Sequence, residues 1–405
     1  MPSSSTSSAQ RHSTTGILLL ACALTTFPPV TGDIYLPSLP QLIADLGATT
    51  AQGQHTLAAF FTGLAVGQLF YGPLSDRIGR RPVMLMGAVV YLVATIGCYF
   101  AFSIDQLIGL RFLQALGACA GLVISTAIVR DSCDYQESAR AFSMLLTARS
   151  LGPLLAPIAG GILVTFFGWR GIFAALVLFG AGMLIAIFFG LSETRPESVK
   201  IRAQQESALS AYAHVLTNRR ILGYTLTNGL NFGSMFAWIS VAPFLIITHY
   251  KVSEFWFGWI FASLALGIMG SAQLNRRALK YFEPNKVMLC GALFAVAAAS
   301  LLLVTALLDF GGVAGIMVPL FLVICSLGFV STNAMAGALA VDPSRTGSVS
   351  AVVGTGQFLC AAMAAWLTGH ISDHPAIAMA VLIAIFAIGA AIFPVLLSRT
   401  SRRKT

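Results

Sequence analysis

An all-α integral membrane fold, with twelve transmembrane helices in two six-helix bundles, is predicted by three observations. Of the 405 residues 57% are hydrophobic and only 10% charged, with a mean hydropathy of +0.83, well outside the range of soluble domains. Apolar runs of about 20 residues, the length that crosses a ~30 Å hydrocarbon core, recur along the whole chain. One long polar stretch, SETRPESVKIRAQQESALSAYAHVLTNRR from Ser192 to Arg220, parts these runs six and six.

The spans are expected near 16–36, 55–74, 83–102, 106–129, 140–165, 171–191, 221–247, 255–274, 286–307, 313–339, 347–369 and 376–397. The chain then divides into a tail over 1–15, a first bundle over 16–191, a linker over 192–220, a second bundle over 221–397 and a basic tail over 398–405. A six-plus-six plan suggests two repeated halves with a site between them. The opening MPSSSTSSAQRHSTT is polar, with Arg11 before the first apolar run. That run continues past Phe27 and Val30 to Tyr35 without a small-x-small cleavage site, so an uncleaved first helix is expected.

Lys and Arg number 24 against 15 Asp and Glu, a net +9, but the basic residues form no nucleic-acid motif and no nucleic-acid partner is expected. The excess describes topology. With the N-terminus inside, the outer loops hold only Arg170 and Lys251, Arg111 and Arg149 lie within helices, and the remaining basic residues fall at the inner boundary. Both termini are therefore expected in the cytoplasm. Seven scattered cysteines (Cys22, Cys98, Cys119, Cys133, Cys290, Cys325, Cys360) read as small apolar filler, with neither a disulfide nor a zinc framework, and no metal or cofactor is expected.

Within the first span, TTFPPVTGDIYLPSLP keeps one carboxylate, Asp33. Pro28 and Pro29 free carbonyls below it and permit a bend, and Pro37 and Pro40 are expected to end the helix above it. Arg111 in the fourth span lies about five residues, or ~8 Å, below the same outer surface. Burial disfavours the ionised acid and a nearby Arg111 favours it, so rearrangement between two states could switch its proton. The bland alternatives are a wet carboxylate at a helix end and an arginine that snorkels to the surface.

The loop after the second span reads GPLSDRIGRRP, Gly72 to Pro82: Gly72 and Gly79 permit tight turns, Asp76 can cap or pair, and Arg77, Arg80 and Arg81 lie at the inner lipid surface. The fourth span reads RFLQALGACAGLVISTAIVRD, with Gly117 and Gly121 offering close helix contact on a neighbouring face. The fifth holds SLGPLLAPIAGG, where Gly152, Ala156 and Gly160 form a smooth groove, Gly161 follows, and Pro153 and Pro157 remove donors. Arg149, three residues earlier, is about nine residues or ~13 Å into the span, too deep for an easy snorkel, and it is expected either to face a cavity or to meet a carboxylate. On the seventh span Tyr224, Asn228, Asn231 and Met235 share one face, suited equally to a pocket for apolar, weakly polar molecules or to packing with interhelical hydrogen bonds. Gln357 and Asn333 are open in the same way.

These motifs resemble the major facilitator superfamily, whose loop between helices two and three carries G-x-L-S-D-R-x-G-R-R. The resemblance implies that Gly72, Asp76, Arg77, Gly79, Arg80 and Arg81 latch the inward-closed arrangement, with Asp131 as partner of Arg80. It implies that Arg111 faces the central cavity and is tied to proton movement. G-P-x-x-x-P-x-x-G-G in the fifth span is similar to the antiporter motif of exporters. D-I-Y-L-P at Asp33 to Pro37, G-W-R at Gly168 to Arg170 and E-T-R-P at Glu193 to Pro196 resemble the bicyclomycin- and chloramphenicol-resistance branch of the drug:proton antiporters, adding Tyr35 to the residues expected near substrate. In the second half, Asn275-Arg276-Arg277 falls where Asp76 and its arginines fall in the first, but the carboxylate and second glycine are missing.

Secondary active export of a small organic molecule against protons is the function this implies, with the chain a monomer in the bacterial inner membrane. No G-x-x-x-x-G-K-[ST] loop is present to bind ATP, and an ion gradient remains as the energy source. A membrane-embedded enzyme would need ligands or paired carboxylates that the spans lack; His55, His249, His370 and His374 fall near outer boundaries. A metabolite exporter, an importer or a channel of the same fold are the other readings.

Overall fold

The computed structural model describes residues 8–132, 135–197, 199–201, 207–370 and 374–402, which are helices and short connections with no strand among the described residues. Cys133 and parts of the linker and both tails lie outside them. Among the described residues eleven helices are long and apolar enough to cross a membrane, but one of these, Met144–Gly190, has 47 residues. At 1.5 Å per residue that is about 70 Å, enough for two crossings of a bilayer. The break lies at Gly168, whose φ of 66° and ψ of −176° suit glycine, and the count becomes twelve.

The first span is built of pieces. α1 (Ser8–Leu24), α2 (Phe27–Asp33), a single 3-10 turn at Leu36–Ser38 and α3 (Leu39–Asp45) stack end to end. The expectation that Pro37 and Pro40 end this helix is corrected: each occupies the first turn of a new helical piece, where its missing N–H is needed by no carbonyl. The path runs on to Asp45, which places Asp33 about 12 residues, ~18 Å, from that end instead of near it.

The remaining helices are α4 (Thr50–Ile78), α5 (Arg80–Tyr99), α6 (Ile104–Ser132), α7 (Tyr135–Gly190), α8 (Ala208–Thr217), α9 (Arg219–Ala242), α10 (Glu254–Ala278), α11 (Pro284–Leu307), α12 (Gly312–Val341), α13 (Thr346–Gly369) and α14 (Pro375–Arg402). Local signals set several boundaries. Thr49 and Gln52 form a reciprocal capping box at the start of α4, and the Asn218 side chain accepts from two backbone N–H groups of α9. α9 continues into a π-helical turn, Pro243–His249. α8, inside the stretch read from sequence only as a polar linker, buries Ala211 and Val215 and lies against α9 and α13.

α6 packs on α4 and α5, and α5 on α7; α12 packs on α9, α10 and α11, and α14 on α9 and α11. These two groups meet along two seams, α4 with α13 and α7 with α10. We call the end of the molecule bearing Arg77, Arg80 and Arg81 the basic face and the opposite end the far face. At the far face the groups are pressed together: the Gln54 amide donates to the Ser240 carbonyl at 3.2 Å, and a Cβ at Gly258 would lie 2.7 Å from the Pro157 carbonyl oxygen. Phe61 and Phe236 meet across the same junction as a tilted ring pair, with centroids 4.2 Å apart. Toward the basic face the α4–α13 seam continues through Thr355, which donates to the Ala65 carbonyl at 3.3 Å.

Candidate functional site

Two clusters of charge and two isolated charged residues occupy this frame. At the basic face, Gly79 (φ 126°) turns the chain from α4 into α5 and brings the Arg80 side chain back under the turn. Its guanidinium is 1% exposed and donates to Asp76 at 2.5 Å, to the Ser75 hydroxyl at 2.7 Å and to Asp131 of α6 at 2.8 Å. A buried charge needs such a set of partners, and three oxygens in fixed geometry supply it. Sequence reasoning missed what covers the turn. Glu193, read only as part of a family signature, accepts from the backbone N–H groups of Arg80 at 2.9 Å and Arg81 at 3.3 Å, a carboxylate at a helix N-terminus. Arg195 donates to the carbonyls of Asp76 and Arg77, so the E-T-R segment straps the end of α7 over the loop. The signal was available: an acid just beyond the sixth span can reach a basic loop at the same face. Tyr212 of α8 donates to the Leu69 carbonyl at 3.0 Å, and burial, with the Asp76 charge adding to it, pushes this phenol up to about 12.

The second cluster surrounds Arg111. The side chain is fully buried, which removes the snorkelling alternative. Its guanidinium lies between the rings of Tyr35 and Phe60, 4.4 and 4.3 Å from their centroids, and donates to Gln114 at 2.7 Å and to the Thr31 carbonyl at 3.3 Å. Gln114 donates to Thr95, while Thr31 bonds Tyr91 and Tyr35 bonds Thr56. Tyr35 is thus wholly buried and spent on Arg111, which departs from its expected place beside substrate. Gly121 of α6 meets Leu24 and Phe27 of the first span, while Gly117 meets Gly87 and Tyr91 of α5, so these glycines serve two neighbours instead of one.

Asp33 does not join this network. Arg111, expected nearby at similar depth, engages the Thr31–Tyr35 face, and a residue two positions from each lies about 200° around the helix. Asp33 is half-buried and has no hydrogen-bond or ion-pair partner among the described residues. α7 lies along the same side of the first span, with Gly152 against Pro29 and Gly160 against Ile34 and Pro37. Arg149, one turn from Gly152, is likewise half-buried without an ion pair among the described residues. Gly161 and Pro157 face α10 instead, so the SLGPLLAPIAGG segment touches the first span with one side and the other group of helices with the next. Pro153 and Pro157 lie inside α7, whose only non-helical residue is Gly168.

The second half is uncharged at comparable depth. Asn231 donates to Ser326 of α12 at 3.0 Å, and Tyr224 donates to Asn285 at 3.0 Å with its ring on Phe393. These two of the expected pocket residues are turned into their own group of helices, which is the packing alternative. Asn228 is buried, and Met235 and Gln357 are half-buried. Asn333 donates to Asn275 at 2.8 Å, tying α12 to α10 where the first half ties α6 to α4.

A family model described as Major Facilitator Superfamily matches residues 18–365. The chain is 33% identical over 346 residues to the "Chloramphenicol resistance protein" of Pseudomonas aeruginosa, covering 84% of this chain and 81% of that one. It is 30% identical over 360 residues to the "Bicyclomycin resistance protein homolog" of Haemophilus influenzae, covering 87% and 89%. Among solved structures, the xylose transporter XylE from E. coli in a partially occluded inward open conformation superposes with a TM-score of 0.73 at 14% identity, covering 94% and 97% of the two chains, a likeness of fold alone.

Proposed function

Because the chain belongs to the major facilitator superfamily, we propose that it is a proton-coupled exporter of small organic molecules of the drug class, working by alternating access. It is a multi-pass membrane transporter, not an enzyme. The names of the relatives, chloramphenicol and bicyclomycin resistance, support a drug as substrate. The placement of basic residues supports a cytoplasmic basic face with both termini inside, in a bacterial inner membrane, the chain acting as a monomer. The pressed-together far face then corresponds to an inward-facing state, and the seams α4–α13 and α7–α10 are the hinges of exchange.

One observation carries the coupling: a half-buried carboxylate, Asp33, deep in a span and without a partner among the described residues. A lone charge at that depth is costly, and taking a proton or a substrate donor removes the cost. Proton and substrate therefore compete for one group, which is the requirement for exchange. Arg111 acts on Asp33 through the backbone, since it holds the Thr31 carbonyl two residues away in the short helix α2. Arg149, without an ion pair among the described residues and about 10 Å along the bundle axis from Asp33, tilts the site toward neutral, zwitterionic or anionic molecules and away from lipophilic cations. Arg80, bonded to Asp76, Ser75 and Asp131, braces the first bundle at the basic face, and residues 16–191 and 221–397 are the two moving bundles.

The test is proton release from detergent-solubilised protein on addition of chloramphenicol. Asp33→Asn is expected to bind without releasing a proton and to lose uphill export, with Asp33→Glu partly active. Full release from Asp33→Asn would show that the proton is carried elsewhere.

A further inference from the structure

At the far face two buried side-chain atoms without partners, both from α4, lie beside a histidine at the end of α13 in the other half of the molecule. Gln54 of α4 is 4% exposed; its amide nitrogen is committed to the Ser240 carbonyl at 3.2 Å, and its Oε1 is buried without a partner. The neighbouring His55 also has a buried, unpartnered Nε2. Both atoms point at the end of α13: a Cβ at Gly369 would lie 3.3 Å from Gln54 Oε1 and 3.4 Å from His55 Nε2. The next residue, His370, places its ring centroid 5.6 Å from that of His55. Its Nδ1 lies 2.9 Å from the Trp366 carbonyl oxygen, which can only accept, so Nδ1 carries the proton and the neutral ring keeps its lone pair on Nε2.

We propose that His55, His370 and the Gln54 amide oxygen form a binding site for a borderline divalent metal ion such as Zn²⁺, which clamps the two halves together at the far face. Two imidazoles on one tetrahedral ion, with metal–nitrogen bonds of about 2.0–2.1 Å, have ring centroids about 5.2 Å apart. The observed 5.6 Å needs only a small closure. Gln54 supplies a hard oxygen, and the exposed side of His370 leaves a position for water. Among the described residues no group of three His, Cys, Asp or Glu could hold a metal, so this is a low-denticity site made complete by an amide. The tie from His370 to the Trp366 carbonyl, with the Trp366 ring tilted against the imidazole at 4.2 Å, fixes tautomer and orientation as metal-binding histidines require.

The consequence is regulatory. α4 and α13 belong to different halves, so the ligands converge only while the far face is shut. An ion that binds this state alone lowers the population of the opposite one by the factor 1 + [L]/Kd, about 100-fold at one hundred times Kd. The clamp is independent of how Asp33 handles protons or of what is exported.

The full-length chain, purified on a tag without histidines, is titrated with Zn²⁺ in a calorimeter and then assayed for transport in vesicles with Zn²⁺ added on the far side. One ion per chain is expected, with at least about a tenfold loss of affinity in His55→Ala and in His370→Ala. His370→Cys, which keeps a metal ligand at the same place, is expected to retain binding. Zn²⁺ is expected to inhibit the wild type and not His370→Ala, whose metal-free transport is unchanged. Saturable binding undiminished in the His55→Ala/His370→Ala double variant, or no saturable binding to the wild type, would overturn the site.

Discussion

At the basic face the two halves solve the same problem with different chemistry. In the first, α4 is braced to α6 by a buried guanidinium bound to Asp76, Ser75 and Asp131, with Glu193 and Arg195 strapped across the turn. In the second, α10 is braced to α12 by one amide pair, Asn275 with Asn333. A neutral pair costs little to bury and holds through any change of local field, whereas a buried ion cluster is stable only while every member is in place. The switchable brace therefore lies in the first half, the same half that holds Asp33, Arg111 and Arg149, and the second half is the steadier wall. Each substitution below either breaks that contrast or sharpens it.

The largest effect is expected at Arg80. Removing it leaves the Asp131 carboxylate, whose side chain is 3% exposed, with only the looser contact to Arg130 at 3.8 Å, and breaking a buried pair in this way costs about 3–5 kcal/mol. Arg80→Ala should lower the unfolding midpoint of the purified protein strongly and abolish transport. A midpoint equal to that of the wild type would make the cluster a topology signal with no mechanical part. Next comes Arg111→Lys, which keeps the charge but loses the planar group held between Tyr35 and Phe60. The expected loss is about 2 kcal/mol of stability, the upper end for a desolvated cation on an aromatic face. Proton-driven export should fall with it while substrate still binds, and a variant exporting at the wild-type rate would show that charge alone suffices there.

A smaller effect is expected in the second half. Asn275→Ala leaves Asn333 its bond to the Phe329 carbonyl at 2.7 Å, so the cost is about 1 kcal/mol. The double change Asn275→Leu/Asn333→Leu should transport nearly as the wild type, read by initial rates in vesicles. A collapse as deep as that of Arg80→Ala would erase the distinction between the halves.

How much of this was legible beforehand follows from which forces are local. Spans and their number could be read because apolar length is written residue by residue, and even the merged α7 is resolved by its 56 residues against what one crossing needs. The course of the first span could not, because Pro37 and Pro40 look the same whether they stop a helix or open the next piece. At the site, depth was readable and direction was not. Asp33 and Arg111 were placed in one region by counting residues, but which face of α2 meets α6 depends on packing between helices far apart in sequence. The same holds for Tyr35, whose ring is claimed by Arg111, and for Tyr224, claimed by Asn285 and Phe393. Glu193 was visible as a letter in a signature, and its partners, two backbone N–H groups more than a hundred residues earlier, were not.

The smallest predicted effect separates the strap from the cluster it covers. Glu193→Gln keeps the shape of the side chain and loses its charge at the N-terminus of α5, an interaction of about 0.3–1 kcal/mol at low ionic strength. Glu193 is exposed, so salt screens it; the Debye length falls from about 30 Å at 0.01 M to about 3 Å at 1 M. The midpoint deficit of Glu193→Gln relative to the wild type should therefore be largest at low salt and nearly vanish at 1 M, while that of Arg80→Ala, seated in a buried pair, persists. A deficit that survives high salt would mean that Glu193 acts by shape. The turn gives a reason to look for that outcome, since a Cβ at Gly79 would collide with the Glu193 carboxylate, and the two residues fill one space. Gly79→Ala, strained by its φ of 126° and by that collision at once, should then lose more than Glu193→Gln at every salt concentration, and the excess measures the backbone's share of the strap.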